Sequence, residues 1–272
     1  MSAGRLVVCP TPIGNLEDVT LRVLAALRAA DVVACEDTRH TRTLLDRYGV
    51  TGALVSYHEH NERERAAELV GRMQKGAVVA LVSDAGMPLV SDPGFVLVQA
   101  CIAAGLSVEV LPGPSSALAA LVASGLAAER WRFVGFLPRR KAELERMLLT
   151  TQETLVAFES PKRLVKTLAL LAAGDPQRAV AVCRELTKIH EEVRRGAAAE
   201  VAAHYAREAP RGEVVLVVAA APPSVEPDAQ DRAVEALRAL VAAGARPRPA
   251  AKVLAGLTGV PANRLYSALT ER

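Results

Sequence analysis

Three loops rich in proline, glycine and small polar residues are the places where this chain could bind a ligand. They span residues 10–16, 83–94 and 111–116, and each follows a short apolar segment. In α/β proteins, loops at the carboxyl ends of parallel strands form the ligand-binding crevice. The second loop is also much longer than a minimal connection needs to be. The three loops together predict one shared crevice.

Polar side chains in two of these loops suit a charged organic ligand. Asp84 could accept hydrogen bonds from a cationic or amino-bearing ligand, and Gly86 lets the backbone approach it closely. Ser115 and Ser116, at the predicted start of a helix, could bind a carboxylate through their hydroxyl and amide groups. The glycine-rich motifs that cradle diphosphates are absent from the sequence, which disfavours a dinucleotide or a nucleoside triphosphate. A purely structural role is the alternative for each loop.

The segments between the loops predict an α/β fold. Up to residue 111, short apolar runs alternate with helical patterns, and the continuous run at 77–83 is typical of a strand covered on both faces. Asp92 and Pro93 are typical of a helix N-cap and first-turn proline, so we expect Asp92 to cap a helix. Five strands with intervening helices predict a mostly parallel, doubly wound sheet in an N-terminal domain of residues 1–114.

The rest of the chain predicts two further domains. A proline-glycine-proline break at 112–114 indicates a hinge, after which a second α/β domain covers residues 115–221. Its strands cluster toward the end, at 179–183, 189–193 and 213–218, so we expect a mixed sheet. The proline-rich segment 221–228 predicts a linker. Residues 222–272 as a whole are expected to form this linker and a small helical domain, whose last two helices have helix-turn-helix spacing.

Composition excludes several classes of protein. Hydrophobic residues make up 51% of the 272 residues and charged residues 23%, which is typical of a globular protein rather than a disordered or fibrous one. Aromatic residues make up 3% and the net charge is +3, too little for a base-stacking platform or a polybasic membrane binder. No apolar run is long enough to span a membrane. The isolated cysteines predict neither disulfides nor a metal site, and hence a cytoplasmic location; they are Cys9, Cys35, Cys101 and Cys183.

Blocks of sequence over nearly the whole chain resemble the ribosomal RNA small subunit methyltransferase I family. In order, the blocks are TPIGNLEDVTLR, CEDTRHTRTLL, YHEHNE, SDAGMPLVSDPG, LPGPSSAL, GFLPRRK, FESPKR, CRELTKIHEE and RGEVVLV. The family is a branch of the tetrapyrrole-methylase-like (class III) S-adenosylmethionine methyltransferases. The resemblance implies a two-domain α/β enzyme, usually a homodimer, with the cofactor in the cleft between the domains. It also implies methyl transfer to the ribose 2′-oxygen of a decoding-centre cytidine in 16S rRNA of the small ribosomal subunit, with neither membrane nor DNA as partner.

The resemblance further implies S-adenosylmethionine contacts from both domains. The residues that match the family's cofactor positions are Ile13, Asp84, Gly86, Met87, Ser115, Ser116, Phe158, Glu213 and Val214. Composition alone favours a core position for Phe158. Relatives that methylate tetrapyrroles usually carry a glycine-rich first loop and a GDP-type third loop, whereas this chain has Pro-Ile-Gly at 12–14 and Ser-Asp-Ala-Gly at 83–86. This departure favours the RNA branch.

A ribose hydroxyl is a poor nucleophile, so a group that removes its proton would assist the reaction. Glu36, Asp37, His58 and His60 follow the second and third predicted strands, and their spacing does not choose between them. We take Glu36 and His60 as the catalytic candidates. A surface position is the alternative for His60.

Basic residues in the second domain predict electrostatic contacts with RNA. They occur at two predicted helix starts, as Arg139, Arg140 and Lys141 and as Lys162 and Arg163. Cations oppose the dipole at a helix N-terminus, so an anionic partner would offset this unfavourable placement. A solvated surface is the alternative for each.

Two other functions stay open at this point. A tetrapyrrole or other small-molecule methyltransferase would use the same crevice. A helix-turn-helix regulator would read DNA, but the last predicted helix offers Arg264 and few other polar side chains, whereas such helices present three or four. We therefore prefer an RNA-docking role for the C-terminal helices.

Overall fold

The structure, a computed structural model, describes residues 4–222 and 229–270. The chain divides into two compact units, Met1–Ala221 and Pro222–Arg272. Most of the predicted linker 221–228 lies outside the described residues. Within the described ranges, no helix combines the length and the apolarity that crossing a membrane requires.

The first sheet is parallel throughout and is covered on both faces, which confirms the predicted doubly wound layer. Its five strands have the order β3-β2-β4-β1-β5. Side chains alternate between two cores: Leu6 and Val8 pack toward α3 and α4, whereas Val7 and Cys9 pack toward α1 and α2. The elements are β1 (Arg5–Val8), α1 (Leu21–Ala29), β2 (Val32–Cys35), α2 (Thr38–Arg47), β3 (Leu54–Ser56), α3 (Glu62–Gln74), β4 (Val78–Leu81), α4 (Phe95–Ala103) and β5 (Ser107–Val110).

The second sheet is mixed, as predicted. Its strand order is β6-β7-β10-β8-β9, and β6 and β7 form its parallel pair, while the remaining neighbours are antiparallel. Small side chains of α5, Ala117 and Ala120, pack on one face of this sheet. The elements are α5 (Ser116–Ser124), β6 (Trp131–Phe136), α6 (Lys141–Thr150), β7 (Thr154–Glu159), α7 (Pro161–Gly174), β8 (Ala179–Arg184), β9 (Glu192–Ala197), α8 (Ala198–Arg207) and β10 (Val214–Val218).

Two local predictions are wrong. The strand expected at 189–193 is β9, which begins only at Glu192, because the preceding residues form a turn in which Lys188 bonds Glu185. Asp92 does not cap α4, since Gly94 is the N-cap residue, with φ of 140° that side-chain-bearing residues rarely adopt. The start of α4 at Phe95 leaves Asp92 free for another role.

The second unit contains α9 (Ala229–Ala242), α10 (Pro247–Thr258) and α11 (Ala262–Thr270), which confirms the predicted C-terminal helices. They share a small core that includes Leu237, Leu254 and Leu265. Gly259 ends α10 in the left-handed conformation, with φ of 74°. A tight connection at residues 259–261 leads to α11, and the helix-turn-helix role of these helices stays a prediction.

Candidate functional site

A cavity of about 410 Å³ lies in the first unit, lined by loops of both sheets. This volume falls within the roughly 300–1,000 Å³ of small-molecule sites. What we call the first wall consists of Ile13, Ala85, Val90, Ser91 and Asp92, from the loops after β1 and β4. The second wall comprises Ser116, Phe136, Phe158, Glu159, Ser160, Pro161, Cys183, Leu186, Gly212, Glu213, Val214 and Val215.

Backbone bonds join the two loops of the first wall. The amide of Thr11 donates to the carbonyl of Gly86 at 2.9 Å, and the Gly86 amide returns a bond at 3.0 Å. The Thr11 hydroxyl donates to the Ser83 carbonyl at 3.0 Å. The loops that follow two adjacent parallel strands therefore hold one another in a fixed arrangement.

The loop after β4 adopts an unusual backbone. Leu89 and Ser91 lie in the left-handed region, with φ of 73° and 70°, which costs a side-chain-bearing residue roughly 1–2 kcal/mol. The loop also approaches β6 closely, since a Cβ on Gly135 would lie 3.2 Å from the Ser91 hydroxyl oxygen. Strain of this kind is typical of functional loops, and here it places Ser91 and Asp92 at the cavity.

Three carboxylates lie near one another at the carboxyl ends of β2 and β4. Burial raises the pKa of Asp92 to about 6, with further contributions from the charges of Glu36 and Asp84 and a partial offset from Ser83. Burial, Asp84 and Glu59 likewise raise the pKa of Glu36. The Asp84 carboxylate accepts a bond from the Asp37 amide at 3.2 Å. The first wall therefore presents negative charge to the cavity.

The second wall is braced by ion pairs. Lys188 Nζ donates to Glu185 Oε1 at 2.9 Å and to Glu213 Oε2 at 3.1 Å. The Glu213 amide donates to the Glu185 carboxylate at 2.9 Å. This hydrogen bond is the main cause of the lowered pKa of Glu185. Thr187, in the same turn, accepts a bond from the Asn15 amide at 3.0 Å, so the turn is fixed to the loop after β1.

Glu159 is the most deeply buried carboxylate of the cavity lining and is fully partnered. Its side chain is 0% exposed and lies 3.3 Å from Arg163 Nε. It also accepts bonds from the Ser160 amide and the Thr167 hydroxyl, each at 2.7 Å. Arg163 donates in addition to the carbonyls of Leu137 and Pro138. This cluster joins β7, α7 and the loop after β6.

Aromatic rings form the apolar part of the second wall. Phe158 packs edge to face on Phe133 and Phe136, with ring centroids 5.0 and 5.5 Å apart. Phe158 thus belongs both to a core cluster and to the cavity lining. Phe136 is 62% exposed, so its ring extends the wall toward solvent.

The structure brings five of the nine predicted cofactor residues to the cavity, and the other four lie elsewhere. Those that line it are Ile13, Ser116, Phe158, Glu213 and Val214. Asp84 lines a small neighbouring cavity, and Gly86 pairs with Thr11. Met87 packs on the core, and Ser115 caps α5 by accepting from the Leu118 amide. Cofactor contact stays a prediction for all nine.

The two catalytic candidates do not line the cavity. Glu36 is part-buried beside Asp84, whereas His60 is exposed, with its ring edge-on to His58 at 5.9 Å. Among the RNA candidates, Arg139, Arg140, Lys141 and Lys162 are exposed. Arg163 instead bonds groups of its own chain, although its role toward RNA stays a prediction.

Sequence reasoning missed Asp92 and Glu159. The pair Asp92-Pro93 is typical of a helix N-cap, so the sequence indicated a capping role for Asp92 instead of a place in the site. Glu159 ends β7 and Arg163 lies in the first turn of α7, so their pairing depends on the strand-to-helix turn and no periodic pattern reports it.

Groups of side chains able to hold a metal ion are not found within the described ranges. The buried thiols are held protonated, since burial raises the pKa of Cys183, on the second wall, to about 11. The site thus offers carboxylates, amides and apolar surface as its binding groups.

The fold of the first unit is that of a methyltransferase class. A solved structure of uroporphyrin-III C-methyltransferase from Thermus thermophilus, complexed with S-adenosylhomocysteine, matches with a TM-score of 0.55 at 22% identity, covering 79% of this chain and 97% of that one. The family described as Tetrapyrrole (Corrin/Porphyrin) Methylases matches residues 5–202.

Sequence relatives define a narrower group. A protein from Mesorhizobium japonicum is 46% identical over 98% of this chain and 91% of its own length, and one from Halalkalibacterium halodurans is 44% identical over 97% and 94%. Both are named ribosomal RNA small subunit methyltransferase I. The chain therefore belongs to the tetrapyrrole methylase family and, within it, to the ribosomal RNA small subunit methyltransferase I group.

Proposed function

We propose that this protein transfers a methyl group from S-adenosylmethionine to the ribose 2′-oxygen of a decoding-centre cytidine in 16S rRNA. The observation that carries the proposal is the identity of 46% over 98% of the chain to a relative named for action on small-subunit ribosomal RNA. The ribose oxygen and the cytidine come from the sequence resemblance and are the finer part of the proposal.

The cavity has the chemistry that this cofactor needs. Glu36 and Asp84, the acids behind the first wall, favour a cation in the cavity, because opposite charges attract more strongly at a part-buried site than in water. The backbone amide of Ser116, in the first turn of α5, suits a carboxylate. Ile13, Phe158 and Val214 offer apolar surface for a purine ring. When bound, S-adenosylmethionine supplies a methyl group activated by the adjacent sulfonium.

The chain's own residues chiefly align the reacting groups. The Thr11–Gly86 pairing fixes the first wall. The bond from the Asn15 amide to Thr187 joins the loop after β1 to the braced Glu185–Lys188 turn of the second wall. A rigid cavity holds cofactor and acceptor in a reactive geometry, and such alignment can contribute several kcal/mol to a displacement reaction.

The route of the RNA to the cavity runs over basic surface. Phe136 lines the cavity, and the exposed cations Arg139, Arg140 and Lys141 begin three residues later along the chain. An exposed ring followed by cations suits a single-stranded nucleotide, which stacks on aromatics and is attracted through its phosphates. On this proposal the small ribosomal subunit is the partner.

Self-association into a homodimer in the cytoplasm is part of the same proposal. Exposed apolar side chains recur at helical spacing on α4, as Phe95 and Ile102, and on α5, as Leu118 and Val122. Exposed apolar clusters commonly mark protein interfaces. Light scattering of the purified chain should give about twice its 28.7 kDa mass, and the monomer mass would contradict this part.

Radiolabelled methyl transfer tests the proposal as a whole. Small subunits from cells that lack this gene are expected to accept label, whereas wild-type subunits and uroporphyrinogen III are not. Labelling of the tetrapyrrole would instead support the small-molecule alternative, and binding to plain duplex DNA the regulator.

A matched pair of variants locates the cofactor. Ser116→Asp places a carboxylate at the proposed anion site and should weaken cofactor binding by about tenfold or more, as measured by calorimetry. Ser107→Asp makes the same change on the exposed edge strand β5 and should leave binding unchanged. Equal affinities in the two variants would contradict the proposed placement.

A further inference from the structure

We propose that the Asp92 carboxylate accepts the proton of the ribose hydroxyl as the methyl group is transferred. The inference rests on the proposed function and names the base that the sequence left open. Glu36 and His60 were the candidates, and neither lines the cavity, whereas Asp92 does.

Asp92 reaches the cavity because the loop after β4 is fixed at both ends. The Thr11–Gly86 pairing holds its beginning. At its far end the loop packs so tightly that only glycine fits at position 94, because a Cβ there would lie 2.7 Å from the Leu89 side chain. Between these points, Ser91 approaches the bulged strand β6 at Gly135. A carboxylate held by a rigid loop is suited to proton transfer, which requires a base within hydrogen-bond reach of the hydroxyl.

The cavity contains three carboxylates, and two of them are already neutralised. Glu159 is paired with Arg163 and Glu213 with Lys188. Asp92 forms no ion pair with any residue in the part of the chain that the structure describes, and the charged groups that affect it are Glu36 and Asp84. A carboxylate paired with a cation is a weak base, so Asp92 is the cavity carboxylate best able to take a proton.

The electrostatic surroundings of Asp92 adjust its basicity in the useful direction. Burial and the two neighbouring acids raise its pKa to about 6. At neutral pH the group is therefore mostly ionised, yet it binds a proton more strongly than an ordinary aspartate. General-base catalysis is most efficient when the pKa of the base lies near the working pH.

The step balances without a further reactant. The ribose oxygen forms a bond to the methyl carbon, the bond between that carbon and sulfur breaks with its electron pair on sulfur, and the hydroxyl proton passes to Asp92. Glu36 and Asp84 act on Asp92 through their charge, and on this account they are positioning residues.

Single-turnover methylation of undermethylated small subunits by Asp92→Asn tests the assignment. The variant keeps the size of the side chain and removes the base, so we expect a rate roughly 100-fold lower and an unchanged cofactor affinity. For the wild type, the rate should rise with pH and level off above the Asp92 pKa of about 6, and this rise should be absent from the variant. Asp46→Asn, the same change on the exposed surface of α2, is the control and should retain the wild-type rate and profile.

The outcomes distinguish a failure of the Asp92 assignment from a failure of the proposed function on which it rests. If the wild type methylates ribosomal subunits and Asp92→Asn does so at a similar rate, the Asp92 assignment alone is wrong. A parallel loss of cofactor affinity and rate would make Asp92 a binding group and also overturn it. If the wild type does not methylate the subunits, the proposed function fails, and the assignment fails with it.

Discussion

The two walls of the cavity use carboxylates in opposite ways. On the second wall, Glu159 and Glu213 are paired with Arg163 and Lys188. On the first wall, Asp92 lies close to two further acids and has a raised pKa. Paired charges fix the geometry of a protein, whereas close acids without cations weaken the folded state and persist where they serve binding or catalysis.

This contrast divides the site into a structural wall and a chemical wall. The strained residue Ser91 lies on the chemical wall, and the densest ion-pair bracing lies on the other. The first wall is therefore expected to govern activity and the second wall stability. Variants of single carboxylates can test each half of that expectation.

The largest expected effect on stability is that of Glu159→Ala. Removing a buried carboxylate leaves Arg163, Thr167 and the Ser160 amide without their partner, which should lower the free energy of unfolding by about 3–5 kcal/mol. Urea denaturation measures the loss. Glu145→Ala, an exposed change on α6, is the control, and equal stabilities of the two variants would remove the structural role of the second wall.

Charge removal at the N-terminus of α6 tests the approach to the second wall. Replacing Arg139, Arg140 and Lys141 with alanine should weaken binding to the small subunit. If all three contact phosphates, the slope of log affinity against log salt should also fall by roughly 2, since each contact contributes about 0.7 on single strands. Filter binding over a salt series measures both quantities. A slope equal to that of the wild type would mean that these cations are only solvated.

The raised pKa of Asp92 predicts a pH-dependent gain of stability in Asp92→Asn. Because the folded-state pKa is about 6 and the unfolded-state pKa is near 3.9, the wild type loses stability as the pH rises through this window. The variant has no such titrating group. Above pH 6 it should therefore be more stable than the wild type by about 1 kcal/mol, after allowance for solvent screening.

Thermal denaturation of Asp92→Asn and wild type should therefore give equal midpoints near pH 4, and a midpoint higher by roughly 2–4 °C for the variant at pH 8. A variant that is less stable than the wild type at pH 8 would show that the first wall needs this carboxylate for folding.

The smallest expected effect is that of Lys188→Met. Its ion pairs with Glu185 and Glu213 are part-exposed, so the loss of stability should be about 0.5–1 kcal/mol. Cofactor affinity should change little. A loss of activity beyond tenfold at unchanged stability would show that the second wall takes part in the reaction, and would contradict the expected division between the two walls.

The architecture was largely predictable because it depends on patterns local to the chain. Continuous apolar runs such as Val78–Leu81 form strands covered on both faces, and a helix between successive strands is the usual connection of a parallel sheet. The crevice followed from the position of the loops after those strands. Ile13, Ser116 and Phe158 line the cavity, and their contact with the cofactor stays a prediction.

The role of Asp92 could not be predicted, because it depends on contacts far away in sequence. Its environment combines Glu36 after β2, Asp84 after β4 and the close approach of Ser91 to Gly135 on the other sheet. The local Asp-Pro pattern indicates a cap, and only the left-handed turn at Ser91 and Gly94 moves the residue from the helix to the cavity. Burial of a charge is a tertiary property, and sequence spacing does not report it.

A crystal structure of the protein with S-adenosylhomocysteine tests the central claim most directly. Since the first wall is the chemical one, the sulfur should face Asp92, with the space beyond it open toward Phe136 and the basic start of α6. A sulfur atom directed at Glu213, with Asp92 shielded from the acceptor space, would contradict the account.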